Sequence, residues 1–219
     1  ITFFIAMLVG MLFMSTGGGT KKTSKNSGVL LEELSGDDVV KVRDEELLSL
    51  FSHYYSYSIS GDMDGLEECV SSIRMLNKNN IMQRYQYIEK IDNLSCYAAP
   101  AVEPDFYIVY VSGDMYIREI KTPAPTLSVY LVAKTFDERY VVYVSAVPEE
   151  EAIHLDELNN SESVRKLTTQ VNEELEKAVK KDAQLAEFVQ RNIKRNLLLT
   201  SCCYLTSSRN GGSTPGKRR

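Results

Sequence analysis

Between residues 44 and 88 apolar side chains recur at three- and four-residue steps, the spacing that lines one face of an α-helix. Leu47, Phe51, Tyr54 and Tyr55 form the first stripe. Asp44, Glu45 and Glu46 stand where a helix amino end favours acids, so a helix is predicted from Asp44 to Ile59, with Gly61 ending it. Asp64-Gly65-Leu66-Glu67 then has capping-box spacing, with Asp replacing Ser or Thr, and Leu66, Cys69, Val70, Ile73 and Leu76 share one stripe. A third, shorter helix is expected from Asn80 to about Ile88.

The period then becomes strand-like. Ile91 to Ala98, Phe106 to Ile120, Leu127 to Phe136 and Arg139 to Ala146 read as four strands, the last two joined as an antiparallel hairpin through Asp137-Glu138. Phe106, Ile108 and Tyr110 alternate with Tyr107, Val109 and Val111, so both faces of the second strand are apolar; one face meets the helices and the other is covered or lines a pocket. Ser112-Gly113-Asp114 is placed to bulge or bend that strand and curl the sheet. Pro123 and Pro125 stiffen a connection between strands, since each fixes φ and removes a donor. Helical spacing returns from Ser161 to about Asn196, with Val164, Leu167, Val171, Leu175 and Ala178 on one stripe and a kink or restart near Lys180-Lys181-Asp182. Helices, then an antiparallel sheet, then a long helix make an α+β arrangement.

The ends differ from this middle. Ile1 to Met14 is apolar apart from Thr2 and Gly10, and no charge appears before Lys21. The segment, with its boundary placed at residue 16, is read as a membrane anchor that lacks part of its start; it is short of the roughly 20 residues a spanning helix needs, and a cleaved signal peptide is the alternative. Lys21, Lys22 and Lys25 directly after it count against an external orientation by the positive-inside bias. Residues 17–43 are rich in Gly, Ser, Thr, Lys and Asp and read as a flexible linker; residues 197–219 read as a disordered basic tail. This leaves 44–150 as the main domain and 151–196 as a helical extension.

Charge follows these divisions. The chain of 219 residues carries 25 Lys and Arg against 30 Asp and Glu, a net charge of -5. Residues 44–150 hold eight positive and seventeen negative groups, which argues against nucleic acid as a partner, since phosphate binding draws on Lys and Arg.

The helix break Ser60-Gly61-Asp62, the passage Tyr87-Ile88-Glu89 through Asn93-Leu94-Ser95-Cys96-Tyr97, Tyr107-Ile108-Val109-Tyr110-Val111, and Ile120-Lys121-Thr122-Pro123-Ala124-Pro125-Thr126-Leu127 leading into Val129-Tyr130-Leu131-Val132 carry a resemblance. Over roughly Asp44 to Asn192 the chain resembles the nuclear transport factor 2-like cone, the superfamily that includes ketosteroid isomerase and SnoaL-like cyclases. Its local sequence looks closer to uncharacterised membrane-anchored proteins of Gram-positive gut bacteria built on that cone. The resemblance implies a curved antiparallel sheet packed with helices, a cytoplasmic amino end, one transmembrane helix, a polar linker and an external domain.

Candidate chemistry is sparse. The resemblance makes a His or Asp inside the cone a general base, which draws attention to His53 and to Asp114 beside the expected bend; packing or surface roles compete for both. His154 is read as a loop residue in the acidic segment Glu149-Glu150-Glu151, itself read as a solvated face. Tyr107, Tyr110 and Tyr130 are the candidates for orienting a ligand, against the ordinary use of Tyr in half-buried strands. Cys69, Cys96, Cys202 and Cys203 lack C-x-x-C spacing, so no zinc or redox site is expected; a Cys69–Cys96 disulfide and buried free thiols both remain open. No phosphate loop, nucleophile elbow or metal-binding helix appears, and no cofactor is expected. The resulting expectation is a non-enzymatic, membrane-tethered module outside the cytoplasm that binds an envelope ligand or protein. A cone enzyme of the isomerase, dehydratase or cyclase type, and a dimer paired through its sheet face, are the alternatives.

Overall fold

The computed structural model describes residues 31, 34 and 38–192. Five antiparallel strands form one curved meander in the order β1 (Val40–Val42), β2 (Ile88–Pro100), β3 (Phe106–Ile117), β4 (Ala124–Lys134) and β5 (Tyr140–Val142). Helices α1 (Glu45–Ser60), α2 (Met63–Cys69) and α3 (Lys78–Tyr85) lie between β1 and β2 in sequence. After the sheet come α4 (Glu149–Asn159), α5 (Glu162–Lys181) and α6 (183–192). The α+β class and the antiparallel sheet therefore stand as expected. The anchor segment 1–16 and the tail 197–219 lie outside the described residues. No described helix is long and apolar enough to cross a membrane.

Local chemistry sets the helix ends. Asp44 caps α1, accepting from the backbone N–H groups of Glu46 and Leu47, and Gly61 closes it at φ 71, a left-handed conformation that glycine takes without a Cβ clash. The cap of α2 is Asp62, which accepts from Gly65, rather than Asp64. The expected stripe to Leu76 breaks at Cys69, because Val70 leaves the helix to bridge Val142 and the Ser71 N–H bonds the Val142 carbonyl. Ser71 Oγ also accepts from the Val144 N–H, so this segment covers the outer edge of β5.

The linker expectation fails at its carboxyl end. Val40–Val42 pairs with Ala98–Cys96 as an edge strand, and Val39 and Val42 are buried, so the ordered unit begins before Asp44. Short strands escape a periodicity reading because three residues show no alternation.

Strand parity splits the core in two. Tyr107, Val109, Val111, Met115 and Ile117 face α1 to α3, together with Cys96 and Ala98 of β2 and Tyr130 and Val132 of β4. Ile108 and Tyr110 face the other way, with Ala99, and are covered by Leu158 of α4 and Val164 and Leu167 of α5. That second face is not open here.

The expected bulge near Gly113 is real but belongs to the neighbouring strand. Between the pairs Asp92↔Asp114 and Ser95↔Ser112, the two residues Asn93 and Leu94 oppose Gly113 alone, with Asn93 at φ 53. A Cβ on Gly113 would stand 2.8 Å from Leu94 Cδ2 and 2.9 Å from the Asp92 carbonyl oxygen. Because backbone cannot swing aside, Gly113→Ala is expected to destabilise the protein by about 2 kcal/mol, measurable as a shift of the urea midpoint. Pro125 is not in a connection: it lies within β4 opposite Asp114.

In the carboxyl-terminal half the expected restart near Lys180-Lys181-Asp182 is present, whereas the acidic run 149–151 departs from its expected loop. The helical stretch from Ser161 breaks at Asp182, whose carboxylate caps α6 by accepting from Gln184 and Leu185 and also accepts from Thr122 N–H. These bonds hold its carboxyl below the usual carboxylate range. The acidic run 149–151 is the first turn of α4, with His154 inside that helix rather than in a loop. Glu151 is 2 % exposed, not solvated.

Candidate functional site

The richest grouping of chemically capable side chains lies between α1, α3 and the sheet. Tyr54 and Tyr55 point inward from α1 because positions 51, 54, 55 and 58 share its buried face. Tyr85 is buried on α3, and Tyr130 and Ser128 reach the same space from β4. Phe51 closes the group, its ring centroid 4.9 Å from that of Tyr130. Tyr54 and Tyr55 meet Tyr130 edge-on at 5.6 and 6.3 Å, the arrangement favoured by ring quadrupoles.

The hydroxyls inside this cluster are partly linked. The Tyr130 hydroxyl donates to Tyr55 Oη at 3.0 Å. Ser128 supports Tyr55, and Ser58 lowers the pKa of both Tyr54 and Tyr85 without outweighing burial. The Tyr85 hydroxyl, fully buried, makes no hydrogen bond of good geometry. Removing a hydroxyl in that state is expected to help: Tyr85→Phe should stabilise the fold by about 1 kcal/mol, and a thermal melt below that of the native chain would contradict the assignment.

Burial raises the pKa of Tyr54, Tyr55, Tyr85 and Tyr130, so all four are neutral phenols at neutral pH. Cys96 and Cys69, free and buried at the edges of the same core, have thiols pushed up to about 12 and about 11 by desolvation. Neutral phenols donate hydrogen bonds and take protons poorly, and the thiols are only weak donors. The hydroxyls thus serve to fix one another within the packed core.

The sequence candidates separate. Tyr130 is at the centre of the cluster. Tyr107 packs at its margin, edge-on to Tyr140 at 6.2 Å. Tyr110 is on the opposite sheet face, wholly buried, with its hydroxyl donating to Asn159 Oδ1 at 2.8 Å. Asp114 is not in the interior: its carboxylate accepts from Asn93 Nδ2 at 2.7 Å across the bulge, at the solvent-accessible edge of the pairing. His53 is on the exposed face of α1, stacked on Tyr57 with centroids 5.8 Å apart. Neither of these two reaches the phenols, and the sheet curves without placing either inside.

No protein-family model matches the chain, and no curated protein or solved structure is significantly similar to it. Among the described residues no group of three or more His, Cys, Asp or Glu side chains is arranged to hold a metal ion. Tyr54, Tyr55 and Phe51 stood in the sequence as core positions of the first helix; Tyr85 and Ser128 carried no signal, because what joins them to that helix is the tertiary packing.

Proposed function

We propose that this chain is a membrane-tethered binding or interaction module whose folded unit lies outside the cytoplasm. The observation that carries the reading is the order of its parts: the uncharged apolar stretch Ile1–Met14, a polar spacer, and a folded unit whose core already takes in Leu31 ahead of β1. A nuclear transport factor 2-like cone is the fold we favour for that unit. Three helices against one face of a curved antiparallel meander support it. The helices on the other face are additions to the cone.

Binding is favoured over acid–base catalysis because His53 and Asp114 lie outside the interior and the phenols within it are neutral. Pairing of two copies through the sheet is disfavoured, since α4 and α5 cover Ile108 and Tyr110. The tether is tested by carbonate extraction of membranes from cells making the full chain or one lacking residues 1–16. Retention of the full chain alone is expected, and release of both would overturn the reading.

A further inference from the structure

Three connections meet at one end of the sheet. The β2–β3 turn (101–105) and the β4–β5 turn (135–139) are tied by the Lys134 N–H, which donates to the Asp105 carbonyl at 2.8 Å. The start of α4 is tied to the first turn by Glu151 Oε2, which accepts from the Val102 N–H at 3.0 Å. His154, one helical turn on, lies 3.1 Å from the Pro100 carbonyl oxygen through Nε2 and so donates to it.

This end presents an unusual surface. Phe136 is 107 % exposed and Val102 47 %, apolar groups that water solvates poorly. Glu103, Asp105, Asp137, Glu138, Glu149 and Glu150 lie on the same three segments, all exposed. The basic side chains on these segments are Lys134 and Arg139, and Arg139 Nε is already engaged by Asp137 at 2.6 Å. Glu151 Oε1, buried beneath Val102, has no hydrogen-bond partner.

The β4–β5 turn is internally hydrogen-bonded. Thr135 Oγ1 donates to Asp137 and accepts from the Arg139 N–H, bracing the loop that lifts Phe136. Asp105 and Glu138 hold left-handed backbones at φ 62 and 65, conformations that glycine takes more readily. Two acids thus stand where the backbone alone would favour glycine.

We propose that this end docks an arginine-rich segment of a partner protein. A guanidinium seats on the face of an exposed aromatic ring and pairs with neighbouring carboxylates, and Phe136 with Glu138, Asp105 and Glu103 supplies both contacts. The charge complementarity selects a basic protein segment over an anionic membrane, which the acids repel. The proposal deepens the interaction-module reading and is independent of the tether.

The test is fluorescence anisotropy of a labelled peptide of alternating Arg and Ser with the full chain in neutral detergent. Saturable, salt-sensitive binding is expected. Phe136→Ala should weaken it about tenfold, and Glu103→Gln with Asp105→Asn and Glu138→Gln about tenfold or more. Glu173→Gln with Glu176→Gln on α5 should leave it unchanged. Glu138→Gly should weaken binding while raising the melting temperature, which separates docking from folding. Absence of saturable binding, or equal loss in the α5 control, would overturn the proposal. So would binding seen only after removal of residues 207–219, which makes the chain's own basic tail the occupant, or a preference for phosphatidylglycerol vesicles over the peptide. Because the detergent-held chain is soluble whether or not residues 1–14 span a bilayer, failure here leaves the tether untouched.

Discussion

Raising the pH from 9 to 11 should unfold this protein. Tyr54, Tyr55, Tyr85 and Tyr130 sit together in the main core with pKa values raised by desolvation, whereas in the unfolded chain each ionises near its usual value of about 10. Above that value the unfolded state binds fewer protons than the folded state, so stability falls as pH rises. Each fully suppressed phenol contributes a loss of about 1.4 kcal/mol at pH 11, so Tyr55, Tyr85 and Tyr130 together reach about 4 kcal/mol, and Tyr54 adds to it with the same sign. Cys69 and Cys96, raised to about 11 and about 12, act with the same sign and begin earlier, because unfolded thiols ionise near 8.5. A total of that size matches the whole stability of a typical small domain. Circular dichroism at 222 nm should hold steady from pH 7 to about 9 and collapse between about 10 and 11. The tyrosinate absorbance of the four core phenols should appear with the collapse, as a step added to that of the exposed tyrosines.

Phe51→Ala is the substitution expected to cost most. Its side chain has no exposed surface and packs on Tyr55 and Tyr130, so truncation loses the transfer energy of the ring and leaves a space the surrounding tyrosines fill only in part. A loss of about 4 kcal/mol is expected from urea denaturation with an unchanged slope. By contrast Phe136→Ala removes a ring with no buried surface and should leave stability unchanged within about 0.5 kcal/mol.

Much of this architecture was readable along the chain. Periodicity located α1 to within a residue at each end, since its stripe, acidic start and Gly61 stop all agree. It also set Tyr107 and Tyr110 on opposite faces of β3, where the two cores lie. The failures have physical causes. The stripe through Cys69, Val70 and Ile73 is helical in spacing, but pairing of Val70 with β5 outweighs it. Three consecutive glutamates look solvated because their charge suggests water; at a helix start after Pro148 the same run is favourable, and the Val102 N–H draws Glu151 inward.

The candidate site was legible only in part. Tyr130 is a core residue, in keeping with the ordinary use of Tyr in half-buried strands, but its partners come from α1 and α3, and no sequence spacing encodes a contact between residues 55 and 130. Asp114 takes the surface role that competed with a place inside the cone: its carboxylate meets Asn93 at the bulge, and the extra residue that makes the bulge lies in β2 rather than β3.

The central claim is that a folded unit of this design stands outside the cytoplasm on a tether. Alkaline phosphatase, which becomes active only where disulfides form, can be joined after Asn192 in a bacterial host and compared with a fluorescent protein joined at the same place. High phosphatase activity in a carbonate-resistant membrane fraction, with a dark fluorescent fusion, is the predicted result. An inactive phosphatase beside a bright fluorescent fusion would contradict it.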